Sequence, residues 1–491
     1  MRRIGRKPFL VSLAAVLIAC GALTAFAEFH WPNGKHAMNS EYVKLTYSIE
    51  RPANPADCLT TAQASINFLL YQGLFRFDDE TRILPGLAEF WSFDRTGTRL
   101  TIGIAKNHRF SDGTPVRRSD VLRALEYLFM KSANRSQFAN VSTVRASGES
   151  NIEISMKERS PLILPLLASG MAVVYKAGHS QVGSGPYVVA DSRDGCLYLQ
   201  RNPHGLSSFK NMKICAATET AAINMILAGR AHDMIDILIN GKVALNAHSR
   251  GAEYSTTSAN TWLLAANLLD PALARAKVRN CIDDSFDREG FIREFVPGHR
   301  PTRELVPAVQ LDSAIADRDV ICPKVDRRRI LKILVPLEIS RPNEICLFLS
   351  GQMELLGFTA ACRVVGFNDL LAAVGKGDYS IALMGLGIEV PSVIYPYTFF
   401  LKSAPVNIVN STVSEIEAVF REYPLDSDNE AAFNSISRLN RIVRRDSLAI
   451  PISFVGHRTL IRKCVLGLKL NPMGPAYTNY GDAKFVGDCG A

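Results

Sequence analysis

The sequence lacks the short motifs that mark several common classes of enzyme and metal protein. Its ten cysteines contain no Cys-x-x-Cys pair, and its nine histidines contain neither His-Glu-x-x-His nor His-x-His. A nucleophile elbow, Gly-x-Ser-x-Gly, and a phosphate loop, Gly-x4-Gly-Lys-Ser/Thr, do not occur. Gly385-Leu386-Gly387 is a lone Gly-x-Gly, too short for a dinucleotide fingerprint. We therefore expect a protein that is not an enzyme and that needs no cofactor or bound metal.

Long apolar runs are also scarce beyond the first 27 residues. The most apolar later stretch, 161–174, contains two prolines and a glycine, so it is predicted to be buried core and not a membrane span. Hydrophobic residues are 47% and charged residues 21% of the 491 residues, as in ordinary globular proteins. This length predicts two or three domains.

The first 27 residues have the composition of a secretory signal peptide. Four basic residues between positions 2 and 7 precede an apolar run, and Ala25-Phe26-Ala27 offers the small residues that signal peptidase needs. Residues 17–20, followed by Gly21, also resemble a bacterial lipobox, in which Cys20 would be lipidated and would tether the protein to a membrane. Both alternatives export the chain, so we expect it in the periplasm, either free or anchored as a lipoprotein.

The positive charge of the chain is partly a property of that leader. The formal net charge is +9, and removing the four basic residues of the leader lowers it to +5. No long Lys/Arg run remains, so nucleic acid is not an expected partner. Nine cysteines follow Cys20, so at least one of them is unpaired, and export favours disulfides among the rest. The sequence does not assign their connectivity.

Hydrophobic periodicity predicts helices and strands that mix along the whole chain, with the clearest alternation after residue 326. One predicted helix, 120–131, follows the turn Asp112-Gly113-Thr114-Pro115, and Ser119 is its expected N-cap. The other predicted helices are 62–71, 218–229, 342–356, 367–374, 413–420 and 430–445, and the main predicted strands are 41–49, 151–156, 187–189, 197–200, 358–365 and 379–384. The pattern indicates an α/β protein with two lobes and no internal repeat.

Several short segments carry a resemblance to a known family. The most specific is Arg109–Val116 with Ser119-Asp120-Val121, a stretch whose turn-and-helix pattern suggests a folding role. The remaining segments are Tyr71–Leu74, Leu84–Trp91, Gly183–Tyr187, Arg201–Pro203, Lys277–Arg279 with Phe286–Glu289, Leu355–Phe358, Gly377–Tyr379 and Pro451-Ile452. By these segments and their order, the chain from about residue 45 to about residue 455 resembles the large extracytoplasmic solute-binding proteins of ABC importers, family 5, which carry oligopeptides, dipeptides and nickel.

The resemblance implies a type II periplasmic-binding-protein fold of the large class, with an extra subdomain in the first lobe and a ligand cleft between lobes. The expected divisions are a signal peptide at 1–27, lobe I at 28–65, 180–265 and 468–491, the extra subdomain at 66–179, and lobe II at 266–467.

The resemblance also implies how a peptide would bind, extended between lobes that close about a hinge. In peptide-binding members an acidic residue after a Gly-Trp pair holds the α-ammonium group of the peptide. Counting from Gly385 places Glu389 at this position, although Leu386 replaces the Trp and the loop before Pro391 is shorter by two residues. Glu389 is therefore either the amine anchor or a surface glutamate beside a strand end. Gly385 and Gly387 would let a peptide backbone approach, or they are turn glycines, and Gln63 and Ala64 fall at the first lobe's peptide contact.

Three functions remain open from the sequence. The first is an oligopeptide receptor that works as a monomer and delivers its ligand to an ABC permease in the inner membrane. The second keeps the fold and changes the solute to a dipeptide, a peptidoglycan peptide, glutathione, haem or a nickel chelate. The third is a hydrolase on a similar scaffold, for which the sequence offers no recognisable nucleophile and base.

Overall fold

The structure is a computed structural model that describes residues 41–78, 82–235, 252–306, 322–324, 328–386, 392–404, 406–425, 429–471, 474–486 and 489. In the described part of the chain, strands and helices mix along the sequence, which confirms the α/β expectation. The strands are β1 (Glu41–Thr46), β2 (Gln72–Gly73), β3 (Phe75–Phe77), β4 (Ile83–Pro85), β5 (Ala88–Phe93), β6 (Arg99–Ile104), β7 (Val141–Ser147), β8 (Asn151–Met156), β9 (Val173–Lys176), β10 (His179–Gly183), β11 (Tyr187–Arg193), β12 (Cys196–Arg201), β13 (Asn211–Ala216), β14 (Asp233–Ile235), β15 (Ala252–Ala266), β16 (Arg300–Pro301), β17 (Ile330–Pro336), β18 (Thr359–Val365), β19 (Ile381–Leu386), β20 (Ala449–Arg462), β21 (Val465–Leu466) and β22 (Lys484–Phe485).

The helices lie close to the positions that hydrophobic periodicity predicts. They are α1 (Thr61–Leu70), α2 (Arg118–Met130), α3 (Ile163–Leu167), α4 (Glu219–Leu227), α5 (Ala276–Ser285), α6 (Arg288–Phe295), α7 (Pro342–Leu355), α8 (Phe367–Lys376), α9 (Ser414–Glu422) and α10 (Asn429–Arg445). The stretch 161–174, predicted to be core, forms α3 and the start of β9, and most of it is buried.

One 11-stranded sheet organises the described part of the chain, in the order β11-β12-β13-β1-β14-β20-β15-β19-β17-β18, with β16 paired to β20. On one side, β1 runs parallel to β13 and β14; on the other, β17 runs parallel to β18 and β19. The long antiparallel pair β15 and β20 lies between these two half-sheets. The sheet therefore consists of two parallel halves joined by two crossing strands.

Each half-sheet is buried on both faces, as parallel sheets require. In the first half, Tyr42 of β1 belongs to one hydrophobic cluster and Leu45 to another on the opposite face. In the second half, Leu334 of β17 and its neighbour Ile333 fall in two clusters in the same way. Because successive side chains of a strand point to opposite faces, both halves need helices on each side.

A further hydrophobic cluster lies outside the large sheet. It gathers buried residues from positions 56 to 174, including Leu100, Ile102 and Ile154 of the antiparallel sheet β5-β6-β8-β7. The turn Asp112-Gly113-Thr114-Pro115 is held by two hydrogen bonds. Asp112 accepts one from the Thr114 amide at 3.0 Å, and the neighbouring Ser111 amide donates to the Gly183 carbonyl at 2.9 Å. These contacts give the turn a folding role.

The helix after this turn differs from expectation at its start. Helix α2 begins at Arg118, so Ser119 is not its N-cap. Arg117 takes that position, and its amide donates to the Asp120 carboxylate at 2.9 Å. Asp120 also accepts from the Ala177 amide, at 3.1 Å. Asp120, the third residue of the helix, therefore caps its N-terminus in place of Ser119.

The chain's last described segment returns to the first half-sheet. Val465, Tyr480 and Ala483 are buried in the same cluster as Tyr42 of β1. The Tyr480 hydroxyl donates to Asp233 at 2.8 Å and accepts from the Lys44 ammonium at 2.6 Å, and all three side chains are buried. This buried polar cluster ties β1, β14 and the C-terminal segment together.

Disulfides account for all but one of the described cysteines. The pairs are Cys196–Cys215, Cys281–Cys322, Cys346–Cys362 and Cys464–Cys489, and Cys58 is a buried thiol. The expectation of disulfides with one unpaired cysteine is confirmed. Burial raises the pKa of the Cys58 thiol to about 12, so the thiol stays protonated and unreactive at neutral pH.

Candidate functional site

The carboxyl ends of the two half-sheets point to the same level of the molecule. Strand β14 is antiparallel to β20 and advances from Ile461 towards Thr459, whereas β19 is antiparallel to β15 and advances from Ala266 towards Thr261. Both strands therefore run towards the middle of the crossing pair. Ligands of open α/β sheets bind outside the carboxyl ends of the strands, so this level is the candidate site.

Gly385 lies at this level, near the end of β19. The four preceding residues of the strand are buried, as is Leu386, whereas Gly385 is exposed. It pairs in register with Trp262 of β15, and a Cβ atom placed on it would lie 3.8 Å from both Cδ1 and Nε1 of the Trp262 indole. Gly385 therefore leaves the edge of this indole uncovered.

Trp262 is held in place by a row of side chains across the sheet. It pairs in register with Ser453 of β20, which is fully buried. Nδ1 of His299 lies 3.0 Å from the Ser453 hydroxyl, and the His299 ring meets the indole edge-to-face with centroids 5.8 Å apart. The Phe291 ring lies 6.4 Å from the indole on the helical side. These contacts fix the indole beside Gly385.

The predicted first-lobe contacts lie on α1 and have structural neighbours there. The Gln63 side chain accepts from the Leu59 amide at 2.8 Å and from the Thr60 amide at 3.3 Å, so it closes a capping box at the start of the helix. Ala64 packs against the loop before β9, where a Cβ on Gly170 would lie 2.7 Å from that of Ala64. Gln63 and Ala64 thus belong to a different element and a different set of neighbours from Gly385.

Three other predicted residues lie outside the described residues: Cys20, Gly387 and Glu389. Their roles in lipidation and ligand binding therefore remain predictions. None of the described helices is both long and apolar enough to cross a bilayer. Among the described residues, no three His, Cys, Asp or Glu side chains come together as a group that could hold a metal ion.

Sequence reasoning did not find Trp262, His299 or Ser453. Each lies on a different segment, and their neighbourhood depends on the pairing of β15 with both β19 and β20. The signal that the sequence does offer is Gly385 within an apolar strand, because such a glycine marks a position where another group can approach closely. The structure shows this glycine exposed.

A separate set of contacts joins the region of the 56–174 cluster to the second half of the molecule. The Arg159 guanidinium donates to the Tyr423 carbonyl. Leu425 covers the turn at Gly97, where a Cβ would lie 2.7 Å from the Leu425 Cδ1 atom. Leu162 packs against both this cluster and the one around Leu263, and Tyr395 packs against the former. We call the Arg159–Tyr423 and Gly97–Leu425 contacts, with Leu162 and Tyr395, the side bridge.

This chain is similar to known binding proteins in sequence and in fold. A protein of Pseudomonas aeruginosa (strain UCBPP-PA14) described as a probable di/tripeptide-binding protein 5 is 21% identical over 478 residues, covering 85% of this chain and 90% of its own. The unliganded open form of MppA, a periplasmic murein tripeptide binding protein, superposes with a TM-score of 0.78 at 15% identity, over 92% of this chain and 98% of its own. The Bacillus subtilis oligopeptide-binding protein AppA, in complex with a nonapeptide, gives a TM-score of 0.63 at 14% identity, over 91% of this chain and 99% of its own.

These structural neighbours confirm the fold as that of two-lobed periplasmic binding proteins. The middle of the chain, residues 82–317, matches the profile of the bacterial extracellular solute-binding proteins, family 5. The chain is therefore similar, over residues 82–317, to this family of extracellular solute-binding proteins.

Proposed function

We propose that the protein is the receptor of an ABC importer, which captures oligopeptides between its lobes and delivers them to a membrane permease. The observation that carries this proposal is the convergence of β14 and β19 on the middle of the crossing strands. This arrangement opens a ligand site at the level where two lobes can hinge. The peptide ligands named for the Pseudomonas relative and for MppA and AppA support a peptide as the solute.

The mechanism needs binding and closure but no chemical step. An extended peptide would pair through its main chain with strand ends of both lobes, which satisfies its amide groups without selecting a sequence. Gly385 supplies an exposed backbone for such pairing. We further propose that Glu389, which follows β19 in the sequence, holds the α-ammonium group of the peptide. Gln63 and Ala64 remain proposed first-lobe contacts.

Native mass spectrometry followed by titration calorimetry tests this function. The purified protein is expected to carry small peptides, and after their removal to bind members of a series of di-, tri- and nonapeptides. N-acetylation of the tightest-binding peptide is expected to weaken binding, because it removes the ammonium charge. Glu389→Gln is expected to do the same by at least tenfold, since a buried charge-assisted hydrogen bond contributes about 1.5–3 kcal/mol.

Glu354→Gln, at an exposed position of α7, is the matched control and is expected to bind like the wild type. Failure of every peptide to bind would overturn the receptor proposal. Tight binding with no effect of Glu389→Gln would overturn only the amine anchor. Shortened peptides after incubation would indicate a hydrolase.

A second candidate solute is a peptide released from the cell wall. The structural similarity to MppA, whose description names a murein tripeptide, favours it. A murein tripeptide in the same calorimetric series separates the two candidates, because preference for it over ordinary tripeptides would identify a cell-wall peptide receptor. We also propose that the protein works as a monomer with an ABC permease, that residues 1–27 direct its export, and that Cys20 is lipidated. Mass spectrometry of the mature protein tests the export and the lipidation.

A further inference from the structure

The opening over Gly385 exposes one particular part of Trp262. Both Cδ1 and Nε1 of the indole lie 3.8 Å from the position of a Cβ on Gly385. This distance is ordinary van der Waals contact, so a larger side chain at residue 385 would cover the N–H edge of the ring. The glycine keeps that edge accessible.

The indole N–H has no acceptor among the described residues. Most side-chain N–H groups in the described core donate to a neighbour, as the Asn267 amide does to the Tyr379 carbonyl at 2.8 Å. A tryptophan with an apolar body in the core and its N–H at a solvent-exposed opening is suited to bind a hydrogen-bond acceptor from outside. Trp262 has this arrangement, since its ring packs on Phe291 and its N–H edge faces Gly385.

Among the described residues, the groups placed beside Gly385 carry no formal charge at neutral pH. They are the indole edge, the backbone of β19 at Gly385, and the His299 ring next to the indole, whose Nδ1 is engaged with the buried Ser453 hydroxyl. The exposed cation nearest in sequence, Arg300, pairs in register with Phe454 and lies over that ring, 5.8 Å from its centroid. Phe454 is adjacent to Ser453 on β20, so its side chain points to the opposite face of the sheet. The opening therefore suits a flat, neutral group with a carbonyl oxygen.

We propose that Trp262 and Gly385 form a subsite for one peptide unit of the ligand, with the ligand carbonyl accepting a hydrogen bond from the indole Nε1–H. This inference rests on the proposed peptide-receptor function and names Trp262, on β15, as the group that binds the amide. The glycine provides the space, and His299 with Ser453 and Phe291 hold the ring.

Tryptophan fluorescence gives a direct test, because the sequence has only three tryptophans, at positions 31, 91 and 262. Trp91 packs edge-to-face on Phe75 next to the separate 56–174 cluster, and Trp31 lies outside the described residues. In a Trp31→Phe, Trp91→Phe background, all tryptophan emission comes from Trp262. Adding the tightest-binding peptide of the series above is expected to shift this emission and to reduce its quenching by acrylamide at least twofold.

Affinity measurements with three variants complete the test. Gly385→Val fills the opening and is expected to weaken peptide binding at least tenfold, whereas Gly385→Ala is expected to change it less than threefold. Trp262→Phe keeps an aromatic ring but removes the N–H, and is expected to weaken binding about fivefold, as for loss of one neutral hydrogen bond. Gly351→Ala, at an open position of α7, is the control.

The outcomes separate this subsite from the function on which it rests. Peptide binding by the wild type, with unchanged Trp262 emission and quenching, would overturn the subsite and leave the receptor function standing. The fluorescence arm requires no change near the opening, so it decides the question even if Gly385→Val fails to fold. Absence of peptide binding to the wild type would overturn the receptor function and the subsite together.

Discussion

His232 is a buried neutral imidazole in the first half-sheet's core. Its Nδ1 accepts a hydrogen bond from the Val43 amide at 2.9 Å, and its ring stacks on Tyr42 with centroids 5.1 Å apart. Burial and, to a lesser extent, the positive charge of Arg462 lower its pKa from 6.5 to about 4. The fold therefore holds this histidine unprotonated.

Stability is expected to fall in acid for this reason. Between pH 6.5 and pH 4 the unfolded chain binds a proton at His232 that the folded protein does not, so the free energy of unfolding decreases as the pH falls through this range. The full difference corresponds to roughly 3 kcal/mol at 1.36 kcal/mol per pH unit. Urea unfolding at pH 7 and at pH 4.5 measures the decrease.

The variant His232→Asn isolates this contribution. Its amide oxygen can accept from Val43 but does not titrate, so we expect a protein that is less stable at pH 7 and loses about 2 kcal/mol less than the wild type on going to pH 4.5. His179→Gln, at an exposed position of β10, is the control and should follow the wild type. An equal loss in His232→Asn and wild type would show that His232 does not carry the acid sensitivity.

Single residues also mark the limit of what the sequence predicts. Gly385 follows from the resemblance, because it lies at the position of the family's Gly-Trp pair after an apolar run; it is exposed in β19, and its contact with ligand remains a prediction. Trp262 does not, because only the pairing of β15 with β19 makes it a neighbour of Gly385. The sequence shows which residue types are unusual in a strand, but not which distant strand lies beside them.

At the scale of the element, helix α1 shows how a predicted ligand residue can have a local role. The Gln63 side-chain oxygen accepts hydrogen bonds from two backbone amides at the start of the helix, while the Gln63 backbone amide donates to the Thr60 hydroxyl at 3.2 Å. This reciprocal arrangement satisfies amide groups that a helix leaves unpaired at its first turn. A loss of function in a Gln63 variant would therefore be ambiguous by itself.

Two substitutions at Gln63 separate the roles. Gln63→Ala removes the cap and is expected to lower the free energy of unfolding by about 1 kcal/mol. Gln63→Glu keeps an acceptor at the third helical position, so it should retain most of that stability. Urea unfolding checks both values. If Gln63→Glu is as destabilised as Gln63→Ala, the capping role is wrong, and if only peptide affinity changes, Gln63 contacts ligand.

Element positions were predictable where an apolar period was long. Strand β8 has the predicted bounds, and α7 ends one residue before the predicted end. The start of α2 was wrong because Ser119 and Asp120 are both suitable capping residues, and three-dimensional contacts decided between them. Asp120 also receives the Ala177 amide from beyond β9, a contact that the local sequence does not contain.

At the scale of the molecule, the side bridge links the region of the 56–174 cluster to the second half, at a place distant in sequence from the crossing strands. Arg159 and Leu162 contribute to it from the cluster region, and Tyr395, Tyr423 and Leu425 contribute from the second half. A contact between two bodies joined by a hinge favours the arrangement in which it forms. The side bridge is therefore expected to stabilise the arrangement of these two parts that the structure has.

Arg159→Ala is expected to shift the ligand-free protein away from this arrangement. Small-angle scattering should therefore give a radius of gyration that differs from that of the wild type. Arg145→Ala is the control, because Arg145 pairs with Glu153 inside the antiparallel sheet. Identical scattering of Arg159→Ala and wild type, with and without peptide, would contradict the role of the side bridge.

The lobes themselves were predictable as a class, but their boundaries remain predictions. Helix α1 runs across the expected division at residues 65–66, and β15 runs across that at 265–266. A composition shift in the sequence cannot mark a division of this kind.

The return of the C-terminal segment to β1 also sets an order of events during synthesis. The first half-sheet's core needs Val465, Tyr480 and Ala483 as well as Tyr42, so its two contributors are separated by most of the chain. Contacts between such distant segments form slowly, because a long loop must close first. A chain synthesised from its N-terminus cannot complete this core until the segment with Val465, Tyr480 and Ala483 has appeared. The core of the first half-sheet is therefore expected to form after the separate clusters that lie earlier in the chain.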